Sequence, residues 1–327
     1  MKELYNTITS ANVLYLLIAI GIMILYHLTE AYNLRQLLVA FGERKISIFK
    51  ALKFTFIGFF FSSITPASTG GQPLEIYYMS KEEISAPTST ISLLVILFGV
   101  HLSTVIMAII SGICNPALLK DGVVWLYVIG LLIHIVVLVF LYLSIFSHNI
   151  TKTIVKICVK LLKFFKIKSV DKCCKMLEDN INKYAEASIY IRKHLGEFIK
   201  GILREFVQMG LSFMVPYFIY RALGFNSCSF LELFSMQAIL YISVSALPLP
   251  GAVGITETVF LKIYSTAFST GVISASMLLS RGVTFYLFVV ISFIVVAFNA
   301  IKMKDTIGEI DYQVKELDEN EELFEAE

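Results

Sequence analysis

Three ionisable side chains stand where an apolar sequence has no evident need of them. Glu75 closes the stretch Thr65-Pro66-Ala67-Ser68-Thr69-Gly70-Gly71-Gln72-Pro73-Leu74-Glu75, directly behind the aromatic and aliphatic run 54–64. Glu257 closes Pro248-Leu249-Pro250-Gly251-Ala252-Val253-Gly254-Ile255-Thr256-Glu257, again behind an apolar run. Arg281, followed by Gly282, interrupts the apolar run 272–300. A charge at membrane depth costs roughly 2.5–3.5 kcal/mol on insertion scales, so such residues read first as functional. A carboxylate beside unwound backbone can bind a cationic group, carry a proton, or cap the N–H groups of a half-helix. A guanidinium there can grip a phosphate with two parallel hydrogen bonds or neutralise one of the two glutamates. Thr65, Ser68, Thr69 and Gln72 add hydrogen-bonding groups, and Gly70, Gly71, Pro250, Gly251 and Gly254 break the helix around them.

Proline lacks an N–H and glycine gives up backbone order, so neither stretch continues a helix easily. Lipid cannot satisfy the freed backbone groups, and such segments must be buried in protein or line a wet cavity. Pro66 precedes Glu75 by nine positions, and Pro248 precedes Glu257 by the same interval. Broken apolar segments at matching places in two halves point to a transporter's binding site. The candidate binding residues are therefore Thr65, Ser68, Gly70, Gly71, Gln72, Glu75, Pro250, Gly251, Gly254, Glu257 and Arg281.

The elements that must position them belong to a membrane protein. Of 327 residues, 57% are hydrophobic and only 16% charged, against about 25% charged in soluble domains, and mean hydropathy is +0.77. Continuous apolar runs predict helices rather than the alternating strands of a barrel. Spans are predicted over 13–28, 88–113, 123–146, 202–223 and 272–300, with broken excursions over 46–80 and 230–268. The first 12 residues lack the basic leader of a cleavable signal. One membrane domain, 1–304, is expected, followed by an acidic tail, 305–327, with ten acidic residues and one lysine. That composition predicts disorder.

Charge placement orients the spans. Arg35, Arg44, Lys45, Lys50 and Lys53 are read as a basic loop, and 148–204 carries thirteen Lys and Arg against five acidic residues. Both should be cytoplasmic, as should the C-terminus. The first broken motif then enters from inside and the second from outside, which makes an inverted-topology repeat of two broken, re-entrant hairpins. Within the basic segment, 151–168 is amphipathic. It predicts either a helix lying on anionic lipid head groups or one packed on the bundle's rim. His101 and His134 fall within spans, where a hydrogen-bonded structural role or a proton relay is possible.

No catalytic constellation, metal-ligand spacing or nucleic-acid patch emerges, and no cofactor is expected. Five scattered cysteines read as small apolar fillers and incidental thiols. The motif Pro66-Ala67-Ser68-Thr69-Gly70-Gly71-Gln72, the later Pro248-x-Pro250-Gly251-x-x-Gly254-x-x-Glu257 and the intramembrane Arg281 resemble the transmembrane flippase domain of lysylphosphatidylglycerol synthases. The resemblance spans roughly residues 10–300. It departs at Gly251-Ala252, where paired glycines are common, and this sequence contains no soluble aminoacyl-transferase domain. It implies movement of a phospholipid or glycolipid between leaflets of a bacterial cytoplasmic membrane. Two other readings are a membrane-embedded lipid-modifying enzyme and a regulatory subunit of a separate lipid synthase. A homo-oligomer is compatible with all three.

Overall fold

The computed structural model describes residues 2–120, 122–146, 195–245, 247 and 249–301. Pro248, most of the basic segment with its expected amphipathic helix over 151–168, and the acidic tail lie outside them. Among the described residues the chain is helical, with no strand. Five helices are long and apolar enough to cross a membrane: α2 (Val13–Ala40), α5 (Ala86–Cys114), α6 (Val123–Phe146), α7 (Leu195–Ala222) and α10 (Ile273–Ile301). A short α1 (Lys2–Thr9) precedes them. Two hairpins interrupt the series: α3 (Ile48–Ile64) with α4 (Gly71–Ser80), and α8 (Phe230–Val244) with α9 (Ile255–Ile263).

The α2/α7 pair sets the frame. The two helices pack antiparallel: Asn12, which caps α2, donates its N–H to the Ala222 carbonyl at the end of α7, at 2.8 Å. Towards the other end, Asn33 Nδ2 donates to the Gly201 carbonyl at 3.0 Å. The first hairpin opens where α2 ends. Arg35 Nε donates to the Ile46 carbonyl at 2.7 Å, and the Ser85 N–H donates to Glu43 Oε1 at 2.9 Å. Glu82, just past α4, takes Lys50 at 2.6 Å and also Lys53, both in the first turns of α3. The second hairpin opens where α7 ends. Ser229 and Glu232 close a capping box at the start of α8, and Tyr220 packs its ring against Phe225 and Phe268 on either side of the hairpin. The two hairpins thus open at opposite ends of the α2/α7 pair. At ~1.5 Å per residue, α4 and α9 are each about 15 Å long, half of a ~30 Å hydrocarbon core.

Two expected boundaries move. The span read over 13–28 continues to Ala40, so Arg35 lies on α2 and not in a loop. Polar residues ended the apolar pattern at Leu28, yet His27, Ala31, Asn33, Leu34, Leu37 and Leu38 are buried against other helices. Likewise α7 is already helical at Leu195, seven residues before the predicted span, and Phe198 and Gly201 pack inwards there.

The two largest of the four buried apolar clusters lie one around each hairpin. Phe54, Ile57, Met79, Leu37, Leu38 and Val95 form one cluster, around the first hairpin. Leu233, Ile239, Phe260, Ile263, Tyr264 and Phe268 form the other, around the second. Phe260 and Tyr264 stack at 4.1 Å between centroids, and the Tyr264 hydroxyl donates to Gln237 Oε1 at 3.0 Å. Close helix approach needs glycine at Gly130, where a Cβ would stand 2.0 Å from the Ile242 carbonyl oxygen.

Candidate functional site

The broken motifs fold into a matching pair of turns. Pro66–Ser68 and Pro250–Ala252 are each a single 3-10 turn opened by proline, whose fixed φ and missing N–H suit that position. Each turn ends on a left-handed residue, Ser68 at φ 54° and Ala252 at φ 49°. The two turns touch each other, and the second also touches α3. Counting from these turns pairs Pro66 with Pro250 and Gly70 with Gly254, the residue before each short helix. The nine-residue spacing counted from Pro248 therefore sets Glu75 against Glu257 in the wrong register. Glu257 is the third residue of α9, whereas Glu75 is the fifth of α4.

That offset gives the two carboxylates different surroundings. Glu257 Oε2 accepts from the Gly254 N–H at 2.5 Å, capping the helix start. Its Oε1 accepts from Arg281 Nε at 3.0 Å, and Arg281 Nη2 donates to the Gly251 carbonyl at 3.0 Å. The guanidinium lies 4.3 Å from the Phe285 ring centre and 5.6 Å from that of Tyr286, a favourable place for a cation. Glycine suits position 251: its φ is +56°, and a Cβ would stand 2.4 Å from Phe285 Cζ. Arg281 is followed by a π-helical segment, Gly282–Tyr286, inside α10. Such bulges re-aim side chains and are frequent at functional sites.

Glu75 lies apart from Arg281's partners. It is buried, its Oε1 has no hydrogen-bond partner, and its Oε2 faces Gly58 on α3 at 2.5 Å from where a Cβ would be. The first tip is held by its own residues. Thr65 Oγ1 donates to the Phe61 carbonyl at 2.6 Å and accepts from the Gly70 N–H at 2.9 Å. Gly71 lets α4 lie on α3, since a Cβ would fall 2.0 Å from Ser62 Oγ and 2.7 Å from the Gly58 carbonyl. Gln72 is half-buried beside them, and Ser68 is exposed at the tip. Of the predicted residues, Pro250, Gly251, Gly254, Glu257 and Arg281 thus gather at one tip, and Thr65, Ser68, Gly70, Gly71 and Gln72 at the other.

His101 and His134 face each other with ring centres 4.8 Å apart. His134 Nδ1 contacts the Gly130 carbonyl at 2.9 Å, and its Nε2 lies 3.2 Å from Ser245 Oγ at the end of α8. The carbonyl contact makes Nδ1 the protonated nitrogen and Nε2 the acceptor.

With the tips described, the chain can be set beside known proteins. Residues 1–292 match the family described as lysylphosphatidylglycerol synthase TM region. The chain belongs to that family. A UPF0104 membrane protein of Archaeoglobus fulgidus is 28% identical over 309 residues, covering 92% of this chain and 91% of that one. A UPF0104 membrane protein of Pyrococcus horikoshii, PH1989, is 25% identical over 224 residues, covering 65% of this chain and 66% of its own length. Both relatives are archaeal membrane proteins.

Sequence reasoning missed a further set of polar residues, buried except for the partly exposed Glu30. His27, Glu30 and Asn33 recur every three residues along one face of α2, and Glu205 and Gln208 meet that helix from α7. His27 is buried among Tyr26, Phe56, Phe59 and Phe288, with no hydrogen bond to either ring nitrogen. Their i, i+3 spacing was the available signal, hidden because each interrupts an otherwise apolar run.

Proposed function

We propose that this protein moves a phospholipid or glycolipid head group between the leaflets of a cytoplasmic membrane, as a transporter rather than an enzyme. The observation that carries the reading is the meeting of the two hairpin tips beside Arg281, whose guanidinium is already held by an exchangeable carboxylate. Arg281 and Glu257 keep side-chain exposures of 13% and 20%, so the pair is sheltered without being sealed. A head-group phosphate can take the place of Glu257 on Arg281, because both offer the paired oxygens that a guanidinium fork accepts. Glu257 then turns to a cationic part of the head group while the acyl chains stay in the bilayer.

Hairpins that open at opposite ends give this site two routes of access, one per leaflet. On this reading both are re-entrant, and the two halves form an inverted repeat. The end where α2 finishes carries Arg44, Lys45, Lys50, Lys53, Lys81 and Lys200, which supports a cytoplasmic position for it. Membership of a family named for a lipid synthase's membrane region supports a lipid as the substrate. Reconstitution tests this directly. Vesicles holding the purified chain should move labelled head groups faster than protein-free vesicles, with every lipid chemically unchanged. A new lipid product would favour the enzyme instead, and an intact, folded protein that moves no lipid would favour a regulatory subunit.

A further inference from the structure

A second polar cluster lies in the α2/α7 contact, away from Arg281. Asn33 is fully buried and its amide is fully engaged. Its Nδ2 donates to the Gly201 carbonyl at 3.0 Å and to Glu205 Oε1, and its Oδ1 accepts from Arg204 Nη1 at 3.2 Å. Two acceptors beside it are left over. Glu205 Oε2 and Gln208 Oε1 are both buried with no hydrogen-bond partner, on side chains of residues 0% and 1% exposed. They stand three residues apart on α7, which makes them neighbours on one helix face. The fold makes room for the acid: a Cβ at Gly99 on α5 would come within 2.7 Å of Glu205 Cγ.

Two buried acceptor oxygens without donors, one helical turn apart, are costly, the more so if one carries charge. A group with positive character reaching both would satisfy them. Hard metal cations gather six or more oxygens, and among the described residues no three His, Cys, Asp or Glu side chains converge on a metal position. A single proton suffices, because it turns Glu205 Oε2 into a donor and Gln208 Oε1 into its acceptor. We propose that Glu205 is a proton-binding site, held as the neutral acid while α2 and α7 pack in this way, with Gln208 receiving the acid's hydrogen.

The groups around it show how that proton is exchanged. Arg204 flanks Glu205 on α7, and Tyr26 and Glu30 on α2 lie within electrostatic reach of it; His27 Nδ1 stands 3.7 Å from Glu30 Oε2, and Tyr241 on α8 and Glu75 on α4 lie within reach of Glu30. Glu30 is a quarter exposed and within electrostatic reach of Glu205, Glu75, Tyr26 and Tyr241. It is therefore the one acid in the cluster with access to water, and it lies between groups on the first hairpin and on the second. When Glu205 gives up its proton, the carboxylate competes with Asn33 for Arg204 and rearranges the polar contact that joins α2 to α7. The coupling of this event to lipid movement rests on the transport reading; the binding of the proton does not.

Infrared spectra of the full chain, purified and placed in lipid nanodiscs, test the proposal, since a protonated carboxyl absorbs apart from carboxylates and amides. At neutral pH the parent should show an acid carbonyl band that shifts in D2O. Glu205→Gln should remove one component of that band, and Glu75→Gln should leave this component in place. Gln208→Leu keeps the acid but removes its acceptor, so it should move the component to higher frequency without loss of intensity. A folded Glu205→Gln protein with the whole band intact would overturn the proposal. So would a component that appears only when sodium is withdrawn, because the site would then hold a metal cation. If Glu205→Gln does not fold, Gln208→Leu decides, and an unmoved band overturns the assignment. A protein that shows the Glu205 band yet moves no lipid would sink the transport reading and leave this one standing.

Discussion

Removing one partner of the Arg281–Glu257 pair should separate a lipid site from a mere internal brace. Arg281→Met takes away the bond to Glu257, the bond to the Gly251 carbonyl and the guanidinium over Phe285. It leaves a carboxylate with a single partner, the Gly254 N–H. Breaking a buried ion pair in this way costs about 3–5 kcal/mol. The residual exposures of 13% and 20% and the surviving cap place this case near the lower end. Glu257→Gln keeps side-chain volume and leaves Arg281 its carbonyl and aromatic contacts, so it should cost about 1.5–3 kcal/mol, the worth of a hydrogen bond between charged groups. The double variant should be no less stable than Arg281→Met alone, because the second change removes the stranded charge. Thermal unfolding in detergent reads these stabilities, and head-group movement in vesicles reads function. All three variants should be inactive if the pair handles lipid. A double variant that moves lipid as fast as the parent would show that the pair only holds the second tip together. Singles that melt like the parent would show that the pair is not sheltered at all.

Gly71→Ala should lower thermal stability, since its methyl meets the Gly58 backbone; overpacking of this kind costs about 1–3 kcal/mol. Gly21→Ala, with nothing within 4 Å, should melt like the parent. Deleting 305–327 should leave the thermal midpoint of the membrane domain unchanged, given that segment's acidic, weakly apolar composition; a large loss would mean that the tail docks. Single cysteines at Lys81 and Lys262, in a background without native cysteines, should label from opposite sides of sealed vesicles. Labelling from the same side would defeat the inverted-repeat argument.

Much of this was written in the sequence, because membrane helices must satisfy their own backbone and so announce themselves as apolar runs. The prolines and glycines at 66–73 and 250–254 mark the hairpin tips for the same reason. Register was harder to read. Pro248 and Pro250 stand two positions apart in the sequence, and only the backbone shows that Pro250 opens the second turn. The buried acids were harder still. Glu205 looks like the edge of an apolar run, and nothing local reveals that Gly99 makes room for it in a helix contact. Partnership across about 170 positions, as between Asn33 and Glu205, is a property of packing and not of any local pattern.

The claim that a lipid head group visits the hairpin tips can be tested where it stands. A phospholipid carrying a photoreactive group on its head would be added to vesicles of the reconstituted chain, and the labelled residues mapped by peptide mass. The account predicts labelling at Gln72 and Phe285, beside the two turns. It predicts none at Val136 and Val290, which face outwards from the bundle with 67% and 58% exposure. Tips labelled no more than those two lipid-facing positions would contradict it.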